Sequence, residues 1–323
     1  MLLVTPIATE IHHQLIETNH VALHVAQAGP AEGPLVILLH GFPEFWYGWR
    51  HQIPALAGAG FRVWAPDQRG YNLSEKPAGL EAYALDQLAL DVVGLIDAAG
   101  VDKAFVAGHD WGAMVAWWTA IKYPERLHKL AILNVPHPLV MMRNVRENPQ
   151  QMLKSWYVGF FQIPWLPETL LTLGDAQFGI RVLLETSNRG SFTDADIPHY
   201  VRAWKQPGAM TAMLNWYRSL VLHPPPPLYQ PRVRVPTLIL WGVRDIALTE
   251  VMAKQSLDYC DDGRLELFPE ATHWVQHDER DAVNARLIAF FSDQPVSTAG
   301  AAPEEPPKDA HEPGAEPPSP PAV

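Results

Sequence analysis

The sequence predicts an α/β fold: a mostly parallel sheet with helices on both faces, interrupted by one helical insertion. Three observations carry that reading. Short apolar runs alternate with helical patterns from residue 35 to 135 and again from 236 to 292. One of these runs turns into a helix across Gly108-His109-Asp110-Trp111-Gly112. Between the two alternating stretches, residues 139–227 are rich in Trp, Tyr, Phe, Met and Leu at helical spacing, with no strand pattern.

Taken in order, residues 12–28 hold two β-like runs with Asn19 at the turn between them, a hairpin. Leu35 to Leu39 is a continuous apolar run of the kind that fills the middle of a parallel sheet. It ends in His40-Gly41-Phe42-Pro43, and a loop leaving the carboxyl end of a central strand is where open α/β sheets place ligands. Gly41 lets the backbone approach a substrate, and Pro43 stiffens the loop so that the Phe42 N–H can be aimed. A helix is expected over Trp46 to Ala57 and a strand over Phe61 to Ala65. Residues 84–99 place Leu85, Leu88, Val92, Leu95 and Ile96 on one helical face, with Gly100 after the end. The corner strand and helix follow over residues 103–118, then a buried strand from Leu130 to Val135.

At Pro136-His137-Pro138 the alternation breaks, and residues 139–227 are expected to form a helical cap over the carboxyl edge of the sheet, closed by the polyproline run Pro224 to Pro227. Strands are expected again at Pro236 to Gly242 and Gly263 to Phe268, with a closing helix over 279–292. The expected organisation is therefore a core in two parts, 1–138 and 228–295, the cap at 139–227, and a Pro/Ala/Glu-rich tail at 296–323. The tail holds eight of the 31 prolines and almost no large apolar side chain, so it cannot repay the entropy of ordering and is expected to be disordered.

Composition excludes several classes. At 323 residues and 48% hydrophobic, the chain can bury a large core. Of the net charge of −11, the tail accounts for −4 (five acids against Lys308), and the mildly acidic remainder argues against nucleic acid as a partner. Cys260 is the single cysteine, which excludes an internal disulfide and fits a reducing compartment. No run approaches the ~18 uninterrupted apolar residues of a membrane helix, and Met1 to His12 lacks the basic and long apolar regions of a signal peptide. A soluble cytoplasmic protein is expected. Nothing in the sequence bears on oligomeric state.

The chemistry centres on Asp110. A strand that turns abruptly into a helix lifts its corner side chain clear of the sheet, which needs small neighbours such as Gly108, Gly112 and Ala113. This is the nucleophile-elbow pattern with aspartate where serine is usual. A serine must be activated by a base, whereas a carboxylate with an ordinary pKa of ~3.9 is already ionised at neutral pH and suited to attacking a saturated carbon. Asp245 and His273 each follow an expected core strand, so all three residues should emerge at one edge of the sheet. Their chain order is nucleophile, acid, histidine, the order of α/β-hydrolases. His109 points elsewhere by alternation, His277 lies near the last helix, and Asp261 and Asp262 belong to the opposite edge.

The motifs His40-Gly41-Phe42-Pro43, Gly108-His109-Asp110-Trp111-Gly112, the Gly242-x-x-Asp245 loop and His273-Trp274 resemble those of the soluble epoxide hydrolases of the α/β-hydrolase fold, over residues 12 to 293. Two segments of the expected cap sharpen the likeness, Tyr157-Val-Gly-Phe-Phe161-Gln162-Ile-Pro164 and Leu214-Asn215-Trp216-Tyr217-Arg218. By that resemblance Tyr157 and Tyr217 would hydrogen-bond the epoxide oxygen. Chemistry also asks for such a pair, because attack by Asp110 builds charge on the departing oxygen, and two phenols can donate hydrogen bonds and a proton to it. His273 would be the base for water in the second step, with Asp245 holding its imidazole. The backbone N–H groups of Phe42 and Trp111 would meet the oxyanion, and His40, Phe42, Pro43 and Trp111 would line the substrate. The implied partners are a small apolar epoxide and water, with no metal and no cofactor.

Two other readings fit parts of the pattern. Haloalkane and haloacetate dehalogenases share the fold, the aspartate elbow and a tryptophan after the nucleophile, which would serve as a halide donor. A non-catalytic protein holding a small apolar ligand would have no use for the acid, the histidine and both tyrosines together.

Overall fold

The computed structural model describes residues 10–293. The expected tail at 296–323 lies outside the described residues. The chain opens with strands β1 (His12–Thr18) and β2 (Val21–Ala28), joined by a two-residue turn in which Asn19 and His20 both take positive φ, as the twist of a tight hairpin requires. Strand β3 (Leu35–Leu39) is buried along its whole length. A short 3-10 turn at Trp46–Trp49 and helix α1 (Gln52–Gly58) lead to β4 (Arg62–Pro66). The single helix expected over Trp46 to Ala57 is thus two elements. The reason is Pro54, which has no N–H to donate and is tolerated only in a first helical turn, so the α-helix starts just before it.

Helix α2 (Leu85–Ala98), strand β5 (Ala104–His109), helix α3 (Trp111–Lys122) and strand β6 (Leu127–Leu133) follow. β6 lies a little earlier in the chain than its apolar run implied, because Asn134 takes a left-handed φ of 52° and ends it. Six helices then occupy the interval before the next strand: α4 (Pro138–Glu147), α5 (Pro149–Lys154), α6 (Trp156–Phe160), α7 (Leu166–Glu185), α8 (Ile197–Trp204) and α9 (Ala209–Leu222). Strand β7 (Thr237–Gly242), helix α10 (Val251–Leu257), strand β8 (Gly263–Phe268) and helices α11 (Val275–Asp278) and α12 (Arg280–Phe291) complete the described residues. α10 and the short α11 went unread in the sequence, and α12 is the closing helix expected over 279–292.

The eight strands form one sheet in the order β1-β2-β4-β3-β5-β6-β7-β8. β1, β2 and β4 pair antiparallel, and every pairing from β4 through β3 to β8 is parallel. Alternation along the strands sorts the core into two layers. Ile37, Leu39, Val106 and Ile132 face α2, α3 and the inserted helices. Val36, Leu38, Ala107 and Leu133 face α1 and α12, where Ile53, Leu56, Leu287 and Phe291 complete the second layer.

The inserted helices are fastened to the loops at the carboxyl edge. Trp204 Nε1 donates to the Pro43 carbonyl at 2.5 Å, Trp216 Nε1 to the Arg69 carbonyl at 3.0 Å, and the Tyr200 hydroxyl to the Glu44 carboxylate at 2.7 Å. Arg50 and Asp196 form an ion pair at 3.0 Å with both side chains buried. Among the described residues no helix is long and apolar enough to cross a membrane.

Two backbones come into close contact where α3 crosses under the end of β3. A Cβ on Gly112 would stand 2.1 Å from the Leu39 carbonyl oxygen and 2.5 Å from that of His40, with no flexible side chain to give way. Gly112→Ala should therefore lower the unfolding free energy by about 2 kcal/mol or more, the upper part of the usual overpacking range. The midpoint of urea denaturation measures it, and an unchanged midpoint would mean that the two backbones are not in contact.

Candidate active site

Asp110 stands between β5 and α3 with φ 50° and ψ −123°, a conformation that costs a non-glycine residue about 1–3 kcal/mol and turns its side chain out of both elements. Across from it Gly41 closes the gap, since any Cβ there would lie 2.2 Å from the Asp110 Cβ. That approach brings the Phe42 N–H to 2.7 Å from Asp110 Oδ1, where it donates a hydrogen bond. The other oxygen, Oδ2, lies 3.4 Å from His273 Nε2. The Asp110 side chain keeps 17% of its surface accessible, so it is not fully enclosed by packed atoms.

His273 is held from behind. Its Nδ1 lies 2.7 Å from Asp245 Oδ2, so that nitrogen carries the proton and Nε2 is turned to Asp110. Asp245 is saturated with donors: the N–H groups of Ala247 (2.7 Å) and Leu248 (2.9 Å) bond Oδ1, and Asn134 Nδ2 bonds Oδ2 at 2.9 Å. Asn134 also brackets Gly242, accepting from its N–H and donating to its carbonyl, which ties the exit of β6 to the exit of β7. Lys154, from α5, donates to the Asp245 carbonyl at 2.6 Å.

The three groups titrate as a unit. Burial alone would push both carboxyls up, but the His273 imidazolium outweighs it, through hydrogen bond and charge at Asp110 and through charge and hydrogen bond at Asp245, so both lie below the ordinary aspartate value. Burial works against charge on His273 as well. The attraction of Asp245, then the hydrogen bond to Asp110, overcome it and raise the pKa to about 10.

Aromatic side chains from the insertion stand over this centre. The Tyr217 ring packs edge-on against Trp111 (5.0 Å between centroids), Phe42 (5.4 Å), Tyr157 (6.1 Å) and Phe161 (4.9 Å). Neither the Tyr157 nor the Tyr217 hydroxyl donates a hydrogen bond to the protein among the described residues. Burial, then the negative charge of Asp110, raises both phenols out of the titrating range, so both stay protonated as donors. The Trp111 indole N–H is buried without a bonded acceptor.

Of the residues singled out in the sequence, Asp110, Asp245, His273, Phe42, Trp111, Tyr157 and Tyr217 thus converge. His40 does not join them. It is fully buried, its Nε2 accepts from the Gln68 N–H at 3.0 Å and its Nδ1 lies 3.1 Å from the Gly41 carbonyl, so it shapes the loop rather than touching a ligand. Pro43 offers its carbonyl to Trp204 and joins the loop to the insertion. His109 is turned away, as alternation predicts, with Nε2 2.8 Å from the His273 carbonyl.

Three neighbours escaped sequence reasoning. Asn134 had a readable signal, a polar residue at a strand exit on the same edge as Asp245. Glu44 is fully buried, 2.8 Å from His277 Nε2 and bonded by Gln276, which also bonds His109. Its buried partners come from distant parts of the chain. Tyr71 is a third phenol whose buried hydroxyl has no partner, its pKa raised by burial and then by Asp110.

A family model described as the alpha/beta hydrolase fold matches residues 34–280. The chain is 45% identical over 283 residues to the AB hydrolase superfamily protein YfhM of Bacillus subtilis, covering 87% of this chain and 98% of that one. It is 37% identical over 286 residues to human epoxide hydrolase 4, covering 86% and 78%. Among solved structures, that of a Bacillus megaterium epoxide hydrolase with an inhibitor superposes with a TM-score of 0.79 at 32% identity, over 86% of this chain and all of that one.

The electrostatic coupling can be tested without any substrate. Asp110→Asn removes one of the two charges that hold the proton on His273, so the imidazole pKa should fall by at least one unit. Nitrogen-15 NMR of the histidine ring across a pH titration reads this directly. An unchanged value would separate Asp110 from His273.

Proposed function

The chain belongs to the α/β-hydrolase fold family and, within it, to the epoxide hydrolases; from that premise we propose that it converts a small apolar epoxide to a vicinal diol through an ester on Asp110. The observation that carries the reading is the ionised Asp110 carboxylate, pinned at one oxygen by the Phe42 N–H and faced at the other by His273. The residues of the insertion act as a cap that brings Tyr157 and Tyr217 over the reacting carbon.

In the first step an Asp110 oxygen attacks a ring carbon from the side opposite the ring oxygen. A carbon–oxygen ester bond forms, the ring bond breaks, and the released oxygen takes a proton from one of the two tyrosines while the other donates a hydrogen bond. Esterification then changes His273. Asp110 no longer carries charge or accepts the imidazolium hydrogen bond, so two of the influences that hold the proton disappear and the imidazole surrenders it to the tyrosinate.

Neutral His273 is now a base. It draws a proton from water, the oxygen of that water bonds to the Asp110 carboxyl carbon, and the resulting oxyanion is met by the N–H groups of Phe42 and Trp111, each worth about 3 kcal/mol in comparable sites. Collapse expels the diol oxygen, which takes the proton from the imidazolium. The regenerated carboxylic acid returns its own proton to His273, which restores the resting charges.

Trp111 gives a specific reason to weigh a dehalogenase, since its unpartnered indole N–H could hold a departing halide. The two phenols and the epoxide hydrolases among the relatives favour the oxygen leaving group. Halide release from 1-bromobutane without diol from styrene oxide would reverse that preference.

His273→Gln should open the ring and then stall, giving an intact-mass increase equal to the epoxide. Absence of the adduct, with the variant folded, would sink the two-step scheme. Tyr157→Phe and Tyr217→Phe should each slow the burst of ring opening by about a hundredfold, the lower end of general acid catalysis, and the double variant should lose it. Stopped-flow tryptophan fluorescence follows that burst, and full rates in both single variants would exclude the phenols as proton donors.

A further inference from the structure

Away from Asp110, a cleft of about 470 Å³ opens between the β1–β2 hairpin, the loop after β3 and helix α8. That volume suits a small ligand. Five of its lining residues carry rings: His13, His24, Phe45, Trp46 and His199, the last backed by Tyr47. His13 and His24 stack at 5.0 Å and 11°, Trp46 meets His13 edge-on at 4.9 Å, and His199 stacks on Tyr47 at 4.5 Å and 14°. In a chain of net charge −11, no aspartate or glutamate lines the cleft. Asp67, behind the lining residues His24, Trp46 and Asn72, is fully buried and bonded by His24, the Trp46 N–H and Asn72.

The one fixed charge in the lining is Arg202, exposed on α8 and paired with no carboxylate among the described residues. Burial and the neighbouring His24 lower the pKa of His13, so that ring is neutral at pH 7 and offers an aromatic face rather than a second cation. The histidines do not form a metal site, since among the described residues no three His, Cys, Asp or Glu side chains are grouped to hold an ion. A free cation would be repelled by Arg202, and a neutral apolar guest would leave the guanidinium unanswered.

We propose that this cleft is a second binding site, separate from Asp110, for a planar aromatic monoanion such as an aryl carboxylate or sulfonate. Its ring lies against His13, Trp46 and His199, and its anionic group takes the forked donors of Arg202.

The test is calorimetric titration of the intact protein with 2-naphthoate and, as a neutral counterpart, 2-naphthamide. The carboxylate should saturate a single site and bind at least about tenfold more tightly than the amide, the difference expected of one charge-assisted hydrogen-bonded contact. Arg202→Gln should erase that difference, and His199→Ala should weaken both ligands by a smaller factor. Both side chains are exposed, so neither change threatens the fold, and epoxide turnover should be unchanged in each variant. The proposal is overturned if 2-naphthoate shows no saturable binding, if Arg202→Gln binds it as the native protein does, or if it competes with epoxide while ignoring the Arg202 change. Binding is read directly, so a failure here leaves the epoxide reading untouched, and failure of that reading leaves this site standing.

Discussion

The close approach of two backbones, the loop after β3 and the corner between β5 and α3, is the constraint on which the site depends. Asp110 can hold its left-handed conformation only because the surrounding sheet and helix over-determine it, and the Phe42 N–H reaches its carboxylate only because Gly41 leaves no atom in between. The strain of about 1–3 kcal/mol at the corner is small against the two hydrophobic layers that clamp it, and it is spent on a carboxylate that packed atoms do not fully enclose.

Around that corner the charges form a balanced row: carboxylate, imidazole, carboxylate. An isolated buried charge would be neutralised by a shift of pKa, but here each group supplies the partner the next one needs. The row carries one net negative charge when all three groups are ionised. Asn134 and the N–H groups of Ala247 and Leu248 bond Asp245 with three neutral donors, which hold that carboxylate in place behind His273.

Much of this was legible in the sequence, for physical reasons that differ by element. The buried strands β3 and β7 announce themselves as apolar runs bounded by turn residues, and the elbow is readable because only small residues tolerate the crossing at Gly112. The order Asp110, Asp245, His273 follows from strand exits, which share one edge in any parallel sheet. The segment after Pro43 was read less well: periodicity sees apolar Trp46, Trp49 and Ile53 but not the helix start that Pro54 imposes. His40 was expected to meet a ligand because it sits in the ligand loop, and only the fold reveals that Gln68 claims its ring. Glu44 was beyond reach, since its partners His277, Gln276 and Tyr200 lie more than 150 residues away in the chain.

The fastening of α8 through Tyr200 and the Arg50–Asp196 pair carries an implication for how molecules enter. Swinging this helix outward would take the Tyr200 hydroxyl from Glu44 and part Asp196 from Arg50, while Glu44 kept His277 and Gln276 and Arg50 kept the Ser191 carbonyl. The roof is therefore riveted on that side. Around α6 and the start of α7 the same roof is tied by Arg218, which donates to the Phe161 and Ile163 carbonyls and pairs with Glu168 at 2.7 Å, so neither side opens without breaking an ion pair.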